Sequence, residues 1–323
     1  MIRRARFVIV PLLFIATVSS VTWAQVYPAR PIRLIVGLPP GGAIDIVARI
    51  IGQKVGESVK QQIVIDNRPG ASGVIASQIT AKAAPDGYTL FMHAITNHTI
   101  SASLYKKLPY DSVKDFAAVI LVASAPIVLV ANPSLPANSV TELIALARAR
   151  PGQINFASSG SGGTTHLAGE LLKFMANINL THVPYKGGGA ATTTALLAGE
   201  ISVTFGGSAV DAQVQSGKLR ALATTGPARS ARYPDLPTIG ETVPGFEMVT
   251  WYGLFAPAGT PAEAMARLRT EVARFLALAD TREKISRRGP EPWVTTPEQF
   301  AGLIRAGYEK HGKLVRALGV KAD

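Results

Sequence analysis

The chain contains no cysteine in its 323 residues. That absence excludes a disulfide scaffold, Cys-ligated zinc, iron–sulfur clusters, thiol catalysis and an N-terminal lipidated cysteine. Aromatic residues are few, at 7%, and charged residues make up 17%, whereas 47% of the chain is hydrophobic. A sequence this apolar is not a disordered chain, and it carries no collagen-like repeat. Negative charge is in deficit: 21 Asp and Glu face 33 Lys and Arg, a formal net charge of +12. A basic balance favours anionic partners without choosing between nucleic acid, lipid and small acid. The length suggests about two domains, each large enough for its own core.

A long membrane-spanning run is also missing. Phe7 to Val18 is apolar but interrupted by Pro11, and too short to cross a bilayer of about 30 Å as a helix. Arg3, Arg4 and Arg6 precede it, and a small, polar stretch ending Thr22-Trp23-Ala24 follows. This is the three-part layout of a secretory signal peptide, with cleavage expected after Ala24. An uncleaved N-terminal anchor is the alternative. Export of a cysteine-free chain points to a bacterial periplasm, where disulfides are permitted but not required. The other apolar stretch, Phe116 to Ala131, is interrupted by Ser124 and Pro126. It reads as two buried strands meeting at Pro126.

What is present is an alternation of strands and helices. Ile32 to Val36 is a β-branched strand, and Ala43 to Gly56 has helical spacing with Ile44, Val47, Ile51 and Val55 on one face. Strands over Gln62 to Asp66 and Tyr88 to His93 flank a helix that runs to about Ala83. This order predicts right-handed crossovers and a parallel sheet. The middle of the chain repeats the style. A helix spans Val140 to Arg150 behind a capping box of Ser139 and Glu142. Strands over Gln153 to Ser158, Asn179 to Val183, Ile201 to Phe205 and Leu219 to Thr224 alternate with helices over Thr164 to Ala176 and Thr192 to Leu197. Near the end, Thr260-Pro261-Ala262-Glu263 and Thr296-Pro297-Glu298-Gln299 each read as an N-cap, Pro at N1 and a capping box.

The chemistry lies in glycine-rich loops between strand ends and helix starts: Pro39-Pro40-Gly41-Gly42, Pro69 to Gly73, and Ser158 to Thr165. In a parallel α/β sheet that is the carboxyl edge, where ligands bind. A helix N-terminus offers unpaired N–H donors and about half a positive charge. Glycine lets a ligand approach the backbone, and Ser and Thr add hydroxyls. Such a set suits carboxylate or phosphate. Any one of these loops also fits an ordinary capped βα turn. The nucleotide patterns fail: no P-loop occurs, and Thr165 and Thr192 stand where a dinucleotide fingerprint needs its last glycine. No nucleophile elbow fits Ser161, because Ser159 replaces its first glycine.

Of the five histidines, His93 and His98 are poorly spaced for metal on one helix face. Ser161 with His166 has the types of a nucleophile and base but no acidic third member, so a structural role for His166 is expected. Asp45 lies in the first turn of its helix. It complements that helix's N-terminus or holds a ligand amine, hydroxyl or bridging water. Lys186 is a solvated loop charge or a counter-charge to a ligand. Trp251 and Tyr252 suit either the cleft or the core. The basic cluster Arg282, Lys284, Arg287 and Arg288 is a solvated helix end without aromatic interleaving, so no nucleic-acid partner is expected.

Taken in order, several runs resemble one family. They are Tyr27 to Arg33, Gly37 to Asp45, Asp66 to Gly73, Pro85 to Leu90, Ser158 to Glu170, His182 to Gly187 and Gly217 to Ala223. They are similar to the Bug family, the periplasmic solute receptors of tripartite tricarboxylate transporters. The resemblance implies a two-lobed type II periplasmic binding protein (Venus flytrap) fold, each lobe a mostly parallel sheet flanked by helices. It implies residues 25–124 with 251–323 as lobe one, 125–250 as lobe two, and hinges near Ser124 to Pro126 and Thr250 to Phe255. It implies a small carboxylate ligand: a di- or tricarboxylate, an acidic amino acid or an aromatic acid. Carried onto this chain, lobe one offers Gly41, Gly42, Ala71, Ser72 and Gly73, and lobe two offers Ser159, Ser161, Thr164, Thr165 and Lys186. Three positions depart from the pattern: Ser72 where Gly is usual, Gly189-Ala190 for Pro-Ala, and Gly206-Gly207 for a more polar pair. The expectation is a monomeric, non-enzymatic receptor without cofactor or metal that passes its ligand to membrane subunits of a transporter. A receptor serving a sensor, or a hydrolase on the same frame, are the alternatives.

Overall fold

The computed structural model describes residues 27–230 and 232–319. The leader expected over residues 1–24 lies outside the described residues. The chain folds around two sheets. The first contains β1 (Ile32–Val36), β2 (Ile63–Asn67), β3 (Thr89–Ala94), β4 (Phe116–Pro126), β10 (Val249–Pro257) and β11 (Glu291–Pro292), in the spatial order β11-β4-β10-β3-β1-β2. Around it lie α1 (Ala43–Val59), α2 (Val74–Ala81), α3 (Ile95–Leu104), α9 (Ala262–Leu276), α10 (Ala279–Ser286) and α11 (Pro297–Leu318). The second sheet contains β5 (Val128–Ala131), β6 (Asn155–Ser158), β7 (Thr181–Pro184), β8 (Val203–Gly206) and β9 (Arg220–Thr224), in the order β7-β6-β8-β5-β9. Its helices are α4 (Val140–Ala149), α5 (Thr164–Ala176), α6 (Gly188–Leu197), α7 (Asp211–Gln215) and α8 (Ile239–Thr242).

The βα units supply the parallel strands, as their alternation predicts: β1 pairs in parallel with β2 and β3, and β6 with β7 and β8. Each sheet also carries antiparallel pairs. β10 runs antiparallel to β3 and β4, β11 antiparallel to β4, and β5 antiparallel to β8 and β9. The physical reason is the double crossing. β4 leads out of the first sheet and β10 leads back into it, so the two must run in opposite directions side by side.

The crossing segments are tied together at Thr225. Its N–H donates to the Ile127 carbonyl at 2.9 Å and its hydroxyl lies 2.6 Å from the Met248 carbonyl. The Ile127 N–H donates back to the Thr225 hydroxyl at 3.0 Å. The 116–131 run is two strands meeting at Pro126, as its interruptions predict. Trp251 packs edge-on against Trp293, with ring centroids 5.6 Å apart, and Tyr252 is buried in the first core, so this pair serves packing. One core fills the space between the first sheet and α1 and α9, with Ile32, Leu34, Val47, Ile51, Met92 and Leu268 among its members. The main core of the second sheet includes Leu129, Leu143, Phe156, Leu172 and Phe205. Ile100 and Leu104 of α3, and Val315 of α11, also belong to it. These two helices therefore start on the first sheet and bury their later turns against the second.

Several elements depart from the sequence expectation. Helix α3 follows β3 with no loop, where no helix is expected. Helix α6 begins at Gly188 rather than Thr192, so Gly188 and Gly189 lie in its first turn. The capping box at Thr260 does not form. Its hydroxyl donates to the Pro257 carbonyl at 2.7 Å, closing the turn after β10, and Pro261 takes the N-cap position of α9. Ser139 caps α4 by accepting from the Glu142 N–H at 3.1 Å, but Glu142 reaches Asn138 rather than closing the box. The full box at Thr296 and Gln299 forms as expected, and a further one, at Thr238 and Glu241, opens α8.

Candidate functional site

Four helices begin at the edge where the two sheets face each other: α1, α2, α5 and α6. Each has glycine at its N-cap, respectively Gly42, Gly73, Gly163 and Gly187, and none receives a side-chain cap. By contrast, α4, α8 and α11 are capped by Ser139, Thr238 and Thr296. The first-turn N–H groups of a helix have no partner within it. Where a hydroxyl caps them, that capacity is spent. At the glycine caps of α1 and α6 it stays open to an incoming acceptor, whereas the first N–H of α2, at Val74, donates to the Ala71 carbonyl and that of α5, at Thr164, to Asn97. Each N-terminus also carries about half a positive charge. Helix N-termini gathered at one edge suit an anion held chiefly through backbone N–H groups.

The loops meet in two pairs across the cleft. A Cβ placed on Gly188 would lie 3.3 Å from the Pro39 ring, so the start of α6 rests on the loop before α1. The Ser72 hydroxyl donates to the Ser161 carbonyl at 3.0 Å, joining the loop before α2 to the loop before α5. Asn97, on α3, reinforces this second pair. Its side-chain carbonyl accepts from both the N–H and the hydroxyl of Thr164, at 3.1 and 2.8 Å, while its amide lies 3.4 Å from the Ser72 carbonyl. Thr164 therefore spends its side chain on a link between the lobes. Asn97 escaped the sequence reading because it sits on a helix that the reading lacked. Its only signal is a polar run, Thr96 to Thr99, directly after an apolar strand.

Behind the loops before α1 and α5 stand polar supports. Asp45 is buried, and its carboxylate accepts from the Gly41 N–H at 2.9 Å, from Arg49 at 3.0 Å and from Asn67 at 3.0 Å. Burial works against its charge, but these hydrogen bonds outweigh burial and hold the carboxyl below the ordinary range. It shapes the loop before α1, and every one of these three partners comes from lobe one. In the second lobe, the Thr165 hydroxyl accepts from the Ser159 N–H at 3.0 Å and lies 3.0 Å from the Ser159 hydroxyl, closing the loop on itself. His166 accepts from the Gly162 N–H at Nδ1, 3.0 Å away. Burial, assisted by His182 and Lys173, pushes its pKa down to about 3, so the ring is neutral and free to accept. His166 stacks on His182 at 3.9 Å, and His182 Nε2 lies 2.6 Å from the Ser158 hydroxyl.

His166 thus has the structural role expected of it, holding the loop backbone at Gly162 with His182 stacked behind it. Ser158 and His182 have the types of a nucleophile and a base, but Ser158 is fully buried and also bonds to Gly160. It braces the loop and presents no hydroxyl to the cleft. Gly41, Ala71 and Ser159 are exposed, and Gly42, Ser72, Ser161 and Thr165 partly so; Gly73 and Thr164 are buried in the seam. Lys186 is exposed, at the turn between β7 and α6, and makes no ion pair among the described residues. The basic run 282–288 forms pairs along its own helix, such as Arg287 with Glu283 at 2.5 Å, as a solvated helix end should.

Two α/β lobes joined by paired crossing strands, with glycine-capped helix ends facing across a seam, define a two-lobed solute-binding protein. The chain belongs to the tripartite tricarboxylate transporter family receptors, whose family model matches residues 47–320. It is 36% identical to Protein BugT of Bordetella pertussis over 314 residues, which is 96% of each chain. Its fold is similar to that of Rpa4515 of R. palustris, solved with adipate, at 35% identity and a TM-score of 0.87; the match covers 92% of this chain and 100% of that one. It is likewise similar to MatC from Rhodopseudomonas palustris, solved with bound malate, at 30% identity and a TM-score of 0.81, over 90% of this chain and 100% of that one.

Proposed function

We propose that this chain captures a small carboxylate between its two lobes in the periplasm and presents it to the membrane subunits of a transporter. The observation that carries this reading is the set of four glycine-capped helix N-termini facing one cleft. The site residues would be Gly41, Gly42, Ala71, Ser72 and Gly73 on one side, and Ser159, Ser161, Thr164, Thr165 and Lys186 on the other. Asp45 would act through the loop it holds, or through a bridging water. Each anion–helix contact contributes about 0.3–2 kcal/mol, more as closure removes water. Closure would follow binding because the bound anion favours the state in which both lobes reach it. Relatives solved with adipate and malate support a dicarboxylate as the ligand class. The mature receptor would begin at Gln25 and act as a monomer without catalysis.

A thermal-shift screen of residues 25–323, unfolded and refolded to strip retained ligand, tests this against mono-, di- and tricarboxylates. Saturation at 100 times Kd stabilises the folded state by about 2.7 kcal/mol. In a chain this long that moves the midpoint by several degrees. A selective shift that weakens in Ser161→Ala or Thr165→Ala is the expected result. No shift with any acid would remove the carboxylate reading.

A further inference from the structure

One buried polar side chain in the first lobe has no role in the seam described above. His93 is the penultimate residue of β3 and is 1% exposed. It stacks on Phe91, with centroids 5.0 Å apart and planes at 24°. It lies edge-on to His98, with centroids 6.3 Å apart, and it also meets the two glycine loops of lobe one. A Cβ on Gly37, at the start of the loop before α1, would come within 2.7 Å of His93 Nδ1. A Cβ on Gly73, the N-cap of α2, would come within 2.1 Å of Cε1 and 2.4 Å of Nε2. The imidazole is therefore wedged between the two loops, and glycine is required at both places to admit it. Nδ1 is buried without a hydrogen-bond partner. Buried polar atoms in folded proteins are rarely left so. An apolar side chain would fill this space without that penalty.

We infer that His93 is a specificity-determining residue, whose ring forms the floor of the lobe-one half of the site and limits how long an acid the closed cleft admits. This rests on the carboxylate reading above and goes beyond it by assigning a length limit to one side chain. The ring plugs the space that a ligand end-group would otherwise enter between Gly37 and Gly73. Burial and the neighbouring His98 push its pKa down to about 3, so the floor is a neutral ring and adds no charge to the site. A pocket that loses or gains room for one methylene changes its discrimination by about tenfold or more.

The test is calorimetric titration of the refolded chain with the straight-chain dicarboxylates of four, six and eight carbons. Wild type, His93→Ala and His93→Asn are compared, with melting curves to confirm folding. The expected result is a shift of preference toward the longer acids. The Kd of the eight-carbon acid relative to the four-carbon acid should fall about tenfold in His93→Ala and less in His93→Asn, which fills more of the space. Should His93→Ala fail to fold, His93→Asn carries the same reading. Equal weakening of all three acids in the variants would overturn the inference while leaving the carboxylate reading intact. No binding of any acid by wild type or variants would overturn both.

Discussion

Ser72 shows how one residue can trade backbone comfort for a contact. Its φ is +53°, in the left-handed region that glycine favours, and Ala71 before it is at +46°. A non-glycine residue there costs about 1–2 kcal/mol. What the serine returns is its hydroxyl, the donor to Ser161 across the cleft. Ser72→Gly should relieve the backbone and lose the link. Ser72→Ala should lose the link and keep the strain, ending about 0.5–1 kcal/mol below Ser72→Gly in urea unfolding. Both should open the ligand-free molecule, seen as a larger radius of gyration in small-angle scattering. Asp45 makes the complementary case. Asp45→Ala strips the Gly41 N–H and Asn67 of a buried acceptor and should cost about 1–3 kcal/mol, with Asp45→Asn costing less because an acceptor oxygen remains. The departure at Ser72 is visible in the sequence; the partner that explains it, 89 residues away, is not.

Elements divide by how local their causes are. The box at Thr296 and Gln299 is written within four residues, and it forms. Thr296→Ala should lower stability by about 1 kcal/mol, read from the denaturation midpoint at unchanged slope. The same pattern at Thr260 fails because the preceding turn claims the hydroxyl, a competitor that no window of four residues contains. Helix α3 is hidden for a different reason. It is buried along most of its length between the two lobes, so its polar residues Thr96, Asn97, His98 and Thr99 face protein rather than water and blur the amphipathic period. Helix α6 starts at Gly188, where a side chain would meet Pro39 of the other lobe, a neighbour 149 residues away that no local window contains.

At the scale of the whole molecule, burial of histidine sets the response to acid. His93 and His166 are pushed down to about 3, and His98 and His311 to about 4, in each case chiefly by burial. In the unfolded chain these rings titrate near the ordinary value of about 6.5. Between about pH 6.5 and 4 the unfolded state therefore binds more protons, and stability falls as pH falls through that window. The slope is up to about 1.4 kcal/mol per pH unit for each ring. Melting temperatures at constant ionic strength should be flat from pH 8 to 7 and drop steadily from 6.5 to 4.5. His311→Asn, which removes one such ring from beside Thr99, should shallow the drop. The acid response is a tertiary property, since it depends on which rings the fold encloses.

The sequence by itself determined the βα units, the glycine-rich loops at their carboxyl edge, the strand pair meeting at Pro126 and the family resemblance that the comparisons bear out. Those features rest on side-chain period, turn residues and motif order, all of which act over a few neighbours along the chain. Only the tertiary structure decided that the sheets are mixed, that α3 and α11 straddle both lobes, and that Thr164 bonds to Asn97 rather than standing open. It also decided that Asp45 serves its own loop and that His93 lies under two glycines. Each of these is a contact between residues far apart in sequence. Its energy depends on which donors, acceptors and rings the packing brings together, a quantity that no local pattern encodes.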